Sequence, residues 1–339
     1  MNAPRSGPLT LHVAIENFPL RAPFSITGST MFDTDVVVVT LSKDGHSGRG
    51  EASGVDYCAE DAPGMVRQIE AVRASIEQGL DRDSLQRLLP AGGARNAVDC
   101  AMWDLEARLF GRAAWQIAGL EPPKSLLTTF TVGANEPDKM AADAHAYRQA
   151  RAIKMKLTGQ AADAERVRAV RAARPDVWLC VDANQGFVPD SLASLMPVLL
   201  DARVQLIEQP FPVGQEERMD GLSSPIPFAA DESAQGLDDL PKLVGRFQVV
   251  NIKLDKCGGL TEGLLMARQA RQLGFEVMVG NMVGSSLAMA PAFLVGQLCS
   301  VVDLDGPLFL SRDRSNPVVY QDGKASCPDA LWGGTQRTR

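Results

Sequence analysis

Beyond the proline pair Pro122-Pro123, the chain carries eight short apolar runs: "LLTTFTVG", "IKMKL", "VWLCVDAN", "VQLIEQP", "IPFAADES", "FQVVNIKL", "EVMVGNM" and "VVDLDGP". No other feature restricts its fold as strongly. Each run is short and rich in Val, Ile, Leu or Phe, as parallel strands buried on both faces are. Amphipathic helical patterns fill most of the gaps, most clearly over residues 161–174 and 261–273, while the last run has no obvious helix of its own. Eight strands alternating with helices is the number that closes a barrel. The expected fold is therefore α/β, a modified TIM barrel of the (β/α)7β type over residues 123–307.

Polar residues interrupt these runs in a regular way. Ile153, Met155 and Leu157 alternate with Lys154 and Lys156, which puts both lysines on one face of a strand. Asp182, Glu208, Asp231, Lys253 and the pair Asp303 and Asp305 then follow at the C-terminal ends of successive runs, each about one strand, helix and return after the last. In a barrel these ends meet at one mouth. The lysines are thus expected to point inward, with Met155 and its neighbours facing the ring of helices.

Three carboxylates brought together in a dry site repel one another unless a cation holds them. Asp182, Glu208 and Asp231 offer only oxygen, which suits a hard divalent ion, Mg²⁺ before others. Taken singly, each acid would read as a helix cap or loop residue. Lys156 and Lys253 flank the acids from the strands before and after them, so that one amine could remove a proton while the other returns it. Crowding by a neighbouring lysine and a cation would lower a lysine pKa toward the range of a general base. The competing reading is that these lysines only neutralise the carboxylates. Asp303 and Asp305, at alternate positions, are read as a substrate site with affinity for a cationic group, although they could instead cap the turn before Gly306-Pro307.

The first third has another texture. Leu9, Leu11, Val13 and Ile15 alternate as a strand, residues 36–41 form a second, and Lys43-Asp44-Gly45 turns the chain into a third over residues 48–52. Met65, Ile69, Val72 and Ile76 fall at helical spacing, as do Ala97, Ala101, Asp104, Leu105 and Leu109, ended near Gly111. An N-terminal α+β capping domain over residues 1–122 is expected, joined by the tail 308–339.

Composition excludes several classes. A formal net charge of −7 argues against nucleic acid or an anionic membrane as partner. No apolar run approaches the roughly 20 residues that span a bilayer, and the start "MNAPRSGPLT" has no apolar leader core, so a cytoplasmic protein is expected. The six cysteines are dispersed without a C-x-x-C pair and are expected to be buried reduced thiols. His12, His46 and His145 are scattered, which makes a histidine-built zinc site improbable.

The motifs "PLRAPF", "AGGARNAVDCAMWDLEAR", "IKMKL", "VDANQGF", "IEQPF", "ADES", "NIKLDKCGGLTEGL" and "DLDGP", in this order over nearly the whole chain, resemble the enolase superfamily in its muconate lactonising subgroup, and within it the dipeptide epimerases. A Lys base paired with Mg²⁺ is a known pattern of that superfamily. The resemblance implies that Asp182, Glu208 and Asp231 hold one Mg²⁺ per subunit, that Lys156 and Lys253 are the acid/base pair, and that Lys154 supports the substrate carboxylate. It implies that Asp303 and Asp305 hold the free amino group of a dipeptide, and Met282 is placed with them at the substrate. The cap would close over the mouth through residues 21–32 and 53–61. A small-molecule substrate and a homo-oligomer are expected, with no nucleic acid or membrane partner.

One departure bears on specificity. Relatives acting on L-Ala-Glu place an arginine in the first of these loops, whereas "SITGSTM" offers none between Arg21 and Phe32, which puts glutamate specificity in doubt. Asp56, Glu60 and Asp61 in the second loop either favour a cationic dipeptide or are simply solvated. The glycines Gly258-Gly259 could cradle a phosphate, but such pairs are common at strand–helix turns without a ligand. Trp103, Trp115 and Trp178 read as core rather than as platforms for a ligand. Rival activities are o-succinylbenzoate synthase, N-acylamino acid racemase and muconate cycloisomerase, which need no ammonium site; a Schiff-base barrel lyase and a non-catalytic binding barrel stand further off.

Overall fold

The computed structural model describes residues 8–26 and 29–335, with the backbone alone at residues 25, 26, 29 and 56. Three antiparallel strands, β1 (Thr10–Ile26), β2 (Ser29–Lys43) and β3 (His46–Ala52), form the cap sheet in that order. Asp44 and Gly45 turn β2 into β3 with φ of 50° and 76°, the positive values that a tight hairpin matched to strand twist requires. The four valines of β2 are buried on both faces. Val37 and Val39 pack with the cap helices, and Val36 and Val38 join the cluster that surrounds the barrel.

The periodic segment around Met65 forms helix α1 (Ala62–Ala71), then breaks at Val72 before a short helix over Arg73–Glu77. Helix α2 (Gly93–Phe110) ends at Gly111, which adopts the left-handed conformation that favours glycine at this position. This helix lies directly on β3. A Cβ added to Gly48 or Gly50 would stand 2.1 Å from the α2 backbone, so glycine is what allows the close approach.

The eight expected runs each supply a strand of one parallel sheet: β4 (Thr129–Val132), β5 (Ala152–Lys156), β6 (Trp178–Asp182), β7 (Val204–Glu208), β8 (Phe228–Ala230), β9 (Val249–Ile252), β10 (Glu276–Val279) and β11 (Val301–Val302). Cys180, Leu206, Ala229, Val249 and Met278 fill the barrel interior, while Ile153, Met155, Leu179, Val181 and Ile207 belong to the cluster shared with the helical ring. Strand alternation thereby separates the inner layer from the outer one.

The ladder runs in sequence order from β4 to β11, and side chains close the seam between these two ends. Thr128 Oγ1 accepts from Leu304 N at 2.9 Å, Thr129 Oγ1 donates to Asp303 Oδ1 at 2.5 Å, and Thr131 N donates to Asp305 Oδ2 at 2.6 Å. The D-x-D motif therefore sutures the barrel. After it the chain returns to the cap: Ser311 N donates to Pro19 O at 2.9 Å, Trp332 Nε1 donates to Arg49 O at 2.9 Å, and Gly333 N donates to the buried Asp104 at 2.7 Å. All six thiols are free, but Cys58 is exposed on the second cap loop, contrary to the expectation that every cysteine is buried.

Gly50→Ala tests the contact that seats the cap sheet on α2. Forcing a methyl group into that gap should cost about 2 kcal/mol and lower Tm by several degrees in a calorimetric scan, whereas Gly45→Asn at the open hairpin turn should leave Tm nearly unchanged.

Candidate active site at the barrel mouth

Strand register determines which side chains meet. In the parallel pairing Lys156 lies beside Asp182 and Asp182 beside Glu208, so three successive strands end on an ionisable residue pointing inward. Asp231 follows β8 immediately. One carboxylate oxygen from each of Asp182, Glu208 and Asp231 lies within 4.8 Å of the others, and all three residues are buried. The triad expected from sequence spacing is one cluster in space.

Lysines surround it. Lys154, only 1% exposed, reaches Glu208 Oε2 at 2.7 Å, Asp303 Oδ2 at 3.0 Å and Asp182 Oδ2 at 3.1 Å. Lys156 Nζ lies 2.6 Å from Asp182 Oδ2, and Lys253 Nζ lies 2.7 Å from Asp231 Oδ2. The two amines thus engage the outer carboxylates, with Glu208 between them. A further lysine, passed over in the sequence, is fully enclosed: Lys256 Nζ donates to Asp231 Oδ1 at 2.7 Å, to Asn251 O at 3.0 Å and to the Asp231 carbonyl. Its position three residues after Lys253, in "KLDK", was the available signal.

The electrostatics follow from burial and neighbours. Desolvation and the adjacent Asp182 push the Glu208 carboxyl up to about 8. Asp182, against its own burial, is held down to about 2 by Lys156 and Lys154, and Asp231 is likewise depressed, by Lys253 and Lys256. Among the side chains alone, Lys253 is held above its ordinary value: burial and Lys154 pull it down, but Asp231 pushes it up and prevails. Lys154 is raised in the same way, by Asp303, Glu208 and Asp182 against its burial. With carboxylates as their nearest partners, both amines offset the charge of the acids.

The donor set fits Mg²⁺. Glu208 Oε1 accepts from Asn251 Nδ2 at 2.9 Å, but neither Glu208 Oε2 nor Asn251 Oδ1 has a hydrogen-bond partner, although both are buried. The contact from Lys154 to Glu208 Oε2 is an ion pair outside hydrogen-bond alignment. Glu208 Oε2 and Asn251 Oδ1 are oxygen acceptors without a hydrogen-bond donor among the described residues, the kind of ligand a hard cation takes.

Asp303 and Asp305 are both buried at the seam. Asp303 has its two oxygens committed to Thr129 and Lys154, whereas Asp305, pushed up to about 7 by burial and by Asp303, accepts from Thr131 N at Oδ2. Met282 stands half-buried in the loop after β10, its carbonyl against Gly306. The cap loops are fastened at this mouth. Phe24 packs on Phe309 with ring centroids 4.5 Å apart, Arg21 Nε donates to Leu310 O at 2.7 Å, and Ser53 N and Gly54 N donate to Asp255 Oδ1 at 2.9 and 3.2 Å. Tyr57, which the sequence did not single out, is about half exposed and accepts from Gln235 Nε2 at 3.3 Å, with Asp231 near enough to act on its hydroxyl.

Other expectations resolve locally. Glu60 accepts from Gly93 N at 2.9 Å and Asp61 from Gly64 N at 2.7 Å, so these acids cap α2 and α1 rather than reach for substrate. The side chain of Asp56 lies outside the described residues, as do Thr27 and Gly28 of the arginine-free loop. A Cβ on Gly258 would collide with Arg95 and one on Gly259 with Asp99, so packing against α2 accounts for the glycine pair without a phosphate. Trp103 is buried; Trp115 and Trp178 are partly buried against hydrophobic clusters.

Comparison with known proteins agrees with this architecture. Residues 9–119 match the family model "Mandelate racemase / muconate lactonizing enzyme, N-terminal domain", and residues 139–332 match "Enolase C-terminal domain-like". The chain is 39% identical to L-Ala-D/L-Glu epimerase of Escherichia coli over 93% of its own length and 98% of that protein's. It is 40% identical to N-acetyl-D-glutamate racemase of a Pseudoalteromonas species, over 89% and 96%. Among solved structures, an enolase family member from Agrobacterium tumefaciens with homology to dipeptide epimerases, with bound sodium and L-Ala-L-Glu, superposes with a TM-score of 0.93 at 40% identity, covering 96% of this chain and all of that one. A dipeptide epimerase from Methylococcus capsulatus, complexed with Mg and L-Arg-D-Lys, superposes with a TM-score of 0.88 at 30% identity over 95% of this chain and 98% of that one.

The raised Glu208 has a consequence for stability. Its folded pKa of about 8 lies above the ordinary value of 4.5, so its contribution is complete below about pH 4.5 and is lost as pH rises toward 8. Glu208→Gln should therefore raise Tm in EDTA at pH 8 by a few degrees while abolishing the stabilisation that added Mg²⁺ gives the parent protein. Scanning fluorimetry with and without Mg²⁺ checks both.

Proposed function

The chain belongs to the mandelate racemase / muconate lactonizing enzyme family with its enolase-like barrel, and from that premise we propose that it is a Mg²⁺-dependent epimerase that inverts the α-carbon of the C-terminal residue of a dipeptide. The observation that carries this reading is the arrangement at the mouth, a triad of buried acids with an amine on each outer member. Asp182, Glu208 and Asp231 would hold the Mg²⁺, which, when bound, draws negative charge onto the substrate carboxylate and so acidifies the α-hydrogen. Lys154, buried among Glu208, Asp303 and Asp182, adds fixed positive charge at the same place.

Inversion needs one amine neutral and the opposite one protonated. The neutral amine of Lys156 takes the α-proton from one face, and the electron pair left on carbon delocalises into the carboxylate. The Lys253 ammonium then gives a proton to the other face, and the reverse reaction exchanges the two roles. The docked cap loops exclude water from the intermediate step. Asp303 and Asp305, both buried at the seam, would hold the free amino group of the dipeptide.

The similarity to N-acetyl-D-glutamate racemase favours one second reading, an N-acylamino acid racemase that uses the same lysines. Such a substrate has no ammonium group for Asp305 to hold. As to setting, the reading is of a cytoplasmic homo-oligomer; among the described residues no helix is long and apolar enough to cross a membrane.

A dipeptide library incubated in D₂O with Mg²⁺ should show a mass gain of one deuterium at the C-terminal residue's α-carbon for the accepted members. With an accepted dipeptide, Lys156→Ala should remove exchange from one diastereomer and Lys253→Ala from the other, each by about 10³-fold or more, read by proton NMR. Exchange confined to N-acyl amino acids, and insensitive to Asp305→Asn, would establish the second reading instead.

A further inference from the structure

Glu232 follows the ligand candidate Asp231 and is 4% exposed, yet it makes no ion pair among the described residues. Its Oε1 accepts from Asn184 Nδ2 at 3.3 Å, while its Oε2 has no partner among the described residues. The same holds across the contact: Asn184 Oδ1 is buried and without a partner. Asn184 is itself fastened to the site, because its backbone N donates to Asp182 Oδ1 at 2.9 Å. A buried side-chain oxygen left unpaired costs about 1–3 kcal/mol, so two on adjoining side chains point to a missing shared partner.

The chemistry of the gap narrows what that partner is. Both orphaned atoms are acceptors, and the pair joins the segments that follow the first and third acids of the triad. Glu232 is not one of the residues whose oxygens cluster within 4.8 Å, so it stands outside the direct ligand set. A single donor with two hydrogens satisfies both oxygens at once. Mg²⁺ gives up water reluctantly and takes six oxygens; three carboxylates and a substrate carboxylate leave room for a bound water, whose hydrogens are strong donors.

We propose that Glu232 and Asn184 are positioning residues that jointly accept the two hydrogens of a water on the Mg²⁺ held by Asp182, Glu208 and Asp231. The proposal rests on reading that triad as the Mg²⁺ site. Through this water the pair sets the affinity for the ion without touching the dipeptide. The competing occupant of the gap is a cationic group of the substrate.

Calorimetric titration of the full chain with MgCl₂, without substrate, tests it. Glu232→Gln should raise the Mg²⁺ Kd about 10- to 100-fold, and Asn184→Ala should raise it in the same direction. The double variant should fall short of the product of the two effects, because both side chains serve one water. Tm in EDTA should stay close to the parent value, and KM for an accepted dipeptide at saturating Mg²⁺ should change less than threefold. Unchanged Mg²⁺ affinity in both variants overturns the proposal, as does a raised KM with unchanged Mg²⁺ affinity, which assigns the pair to the substrate. If Glu232→Gln fails to fold, Asn184→Ala supports the same measurement. A parent protein that takes up no Mg²⁺ removes the metal reading itself, whereas a parent that binds it while both variants match it removes only this inference.

Discussion

Everything at the barrel mouth depends on keeping like charges together in a place that water does not reach. Asp182, Glu208 and Asp231 are at most 1% exposed, and carboxylates that close and that dry would take up protons if nothing opposed them. Lysines oppose them unequally. Asp182 and Asp231 each have two amines and stay ionised, whereas Glu208 shares only Lys154 and is pushed up to about 8. The cluster is balanced by side chains that a divalent ion could relieve. That makes it a poor arrangement for stability and a good one for binding a cation.

The amines differ in what else holds them. Lys256 has its three donors committed to Asp231 and Asn251, and Lys154 sits among three carboxylates, so both are fixed in place. Among the described residues, Lys156 and Lys253 each pair with a single carboxylate. An amine with one partner can turn toward another group at little cost. This difference in anchoring, more than any difference in residue type, separates candidate proton carriers from fixed charges.

The cap and the barrel are built as one machine. Arg95 of α2 donates to the carbonyls of Cys257 and Gly258 and pairs with Glu262, and Asp99 accepts from Thr261 N and Oγ1. These bonds grip the segment directly after Lys253. Two strands further round the mouth, Asp303 and Asp305 close the barrel seam. Residues that read in sequence as catalytic motifs are therefore also what holds the two layers together, and the roles cannot be separated by composition.

The sequence by itself determined the eight strands, the inward face of the lysines and the convergence of the three acids, because strand alternation and the C-terminal mouth of a barrel follow from local periodicity and chain order. The helix through Met65 and Ile76 was legible too, but not its break at Val72, where φ is −112°. What only the tertiary structure decided were contacts between residues distant in the chain. Glu60 and Asp61 turned out to cap helices, Gly258 and Gly259 to make room for Arg95 and Asp99, and Lys256, Tyr57, Asn184 and Glu232 to stand around the triad. The same physical reason covers all of them. A side chain's type and local period fix the direction in which it leaves the backbone, but the charge, donor or void it meets is supplied by a part of the chain that local pattern does not specify.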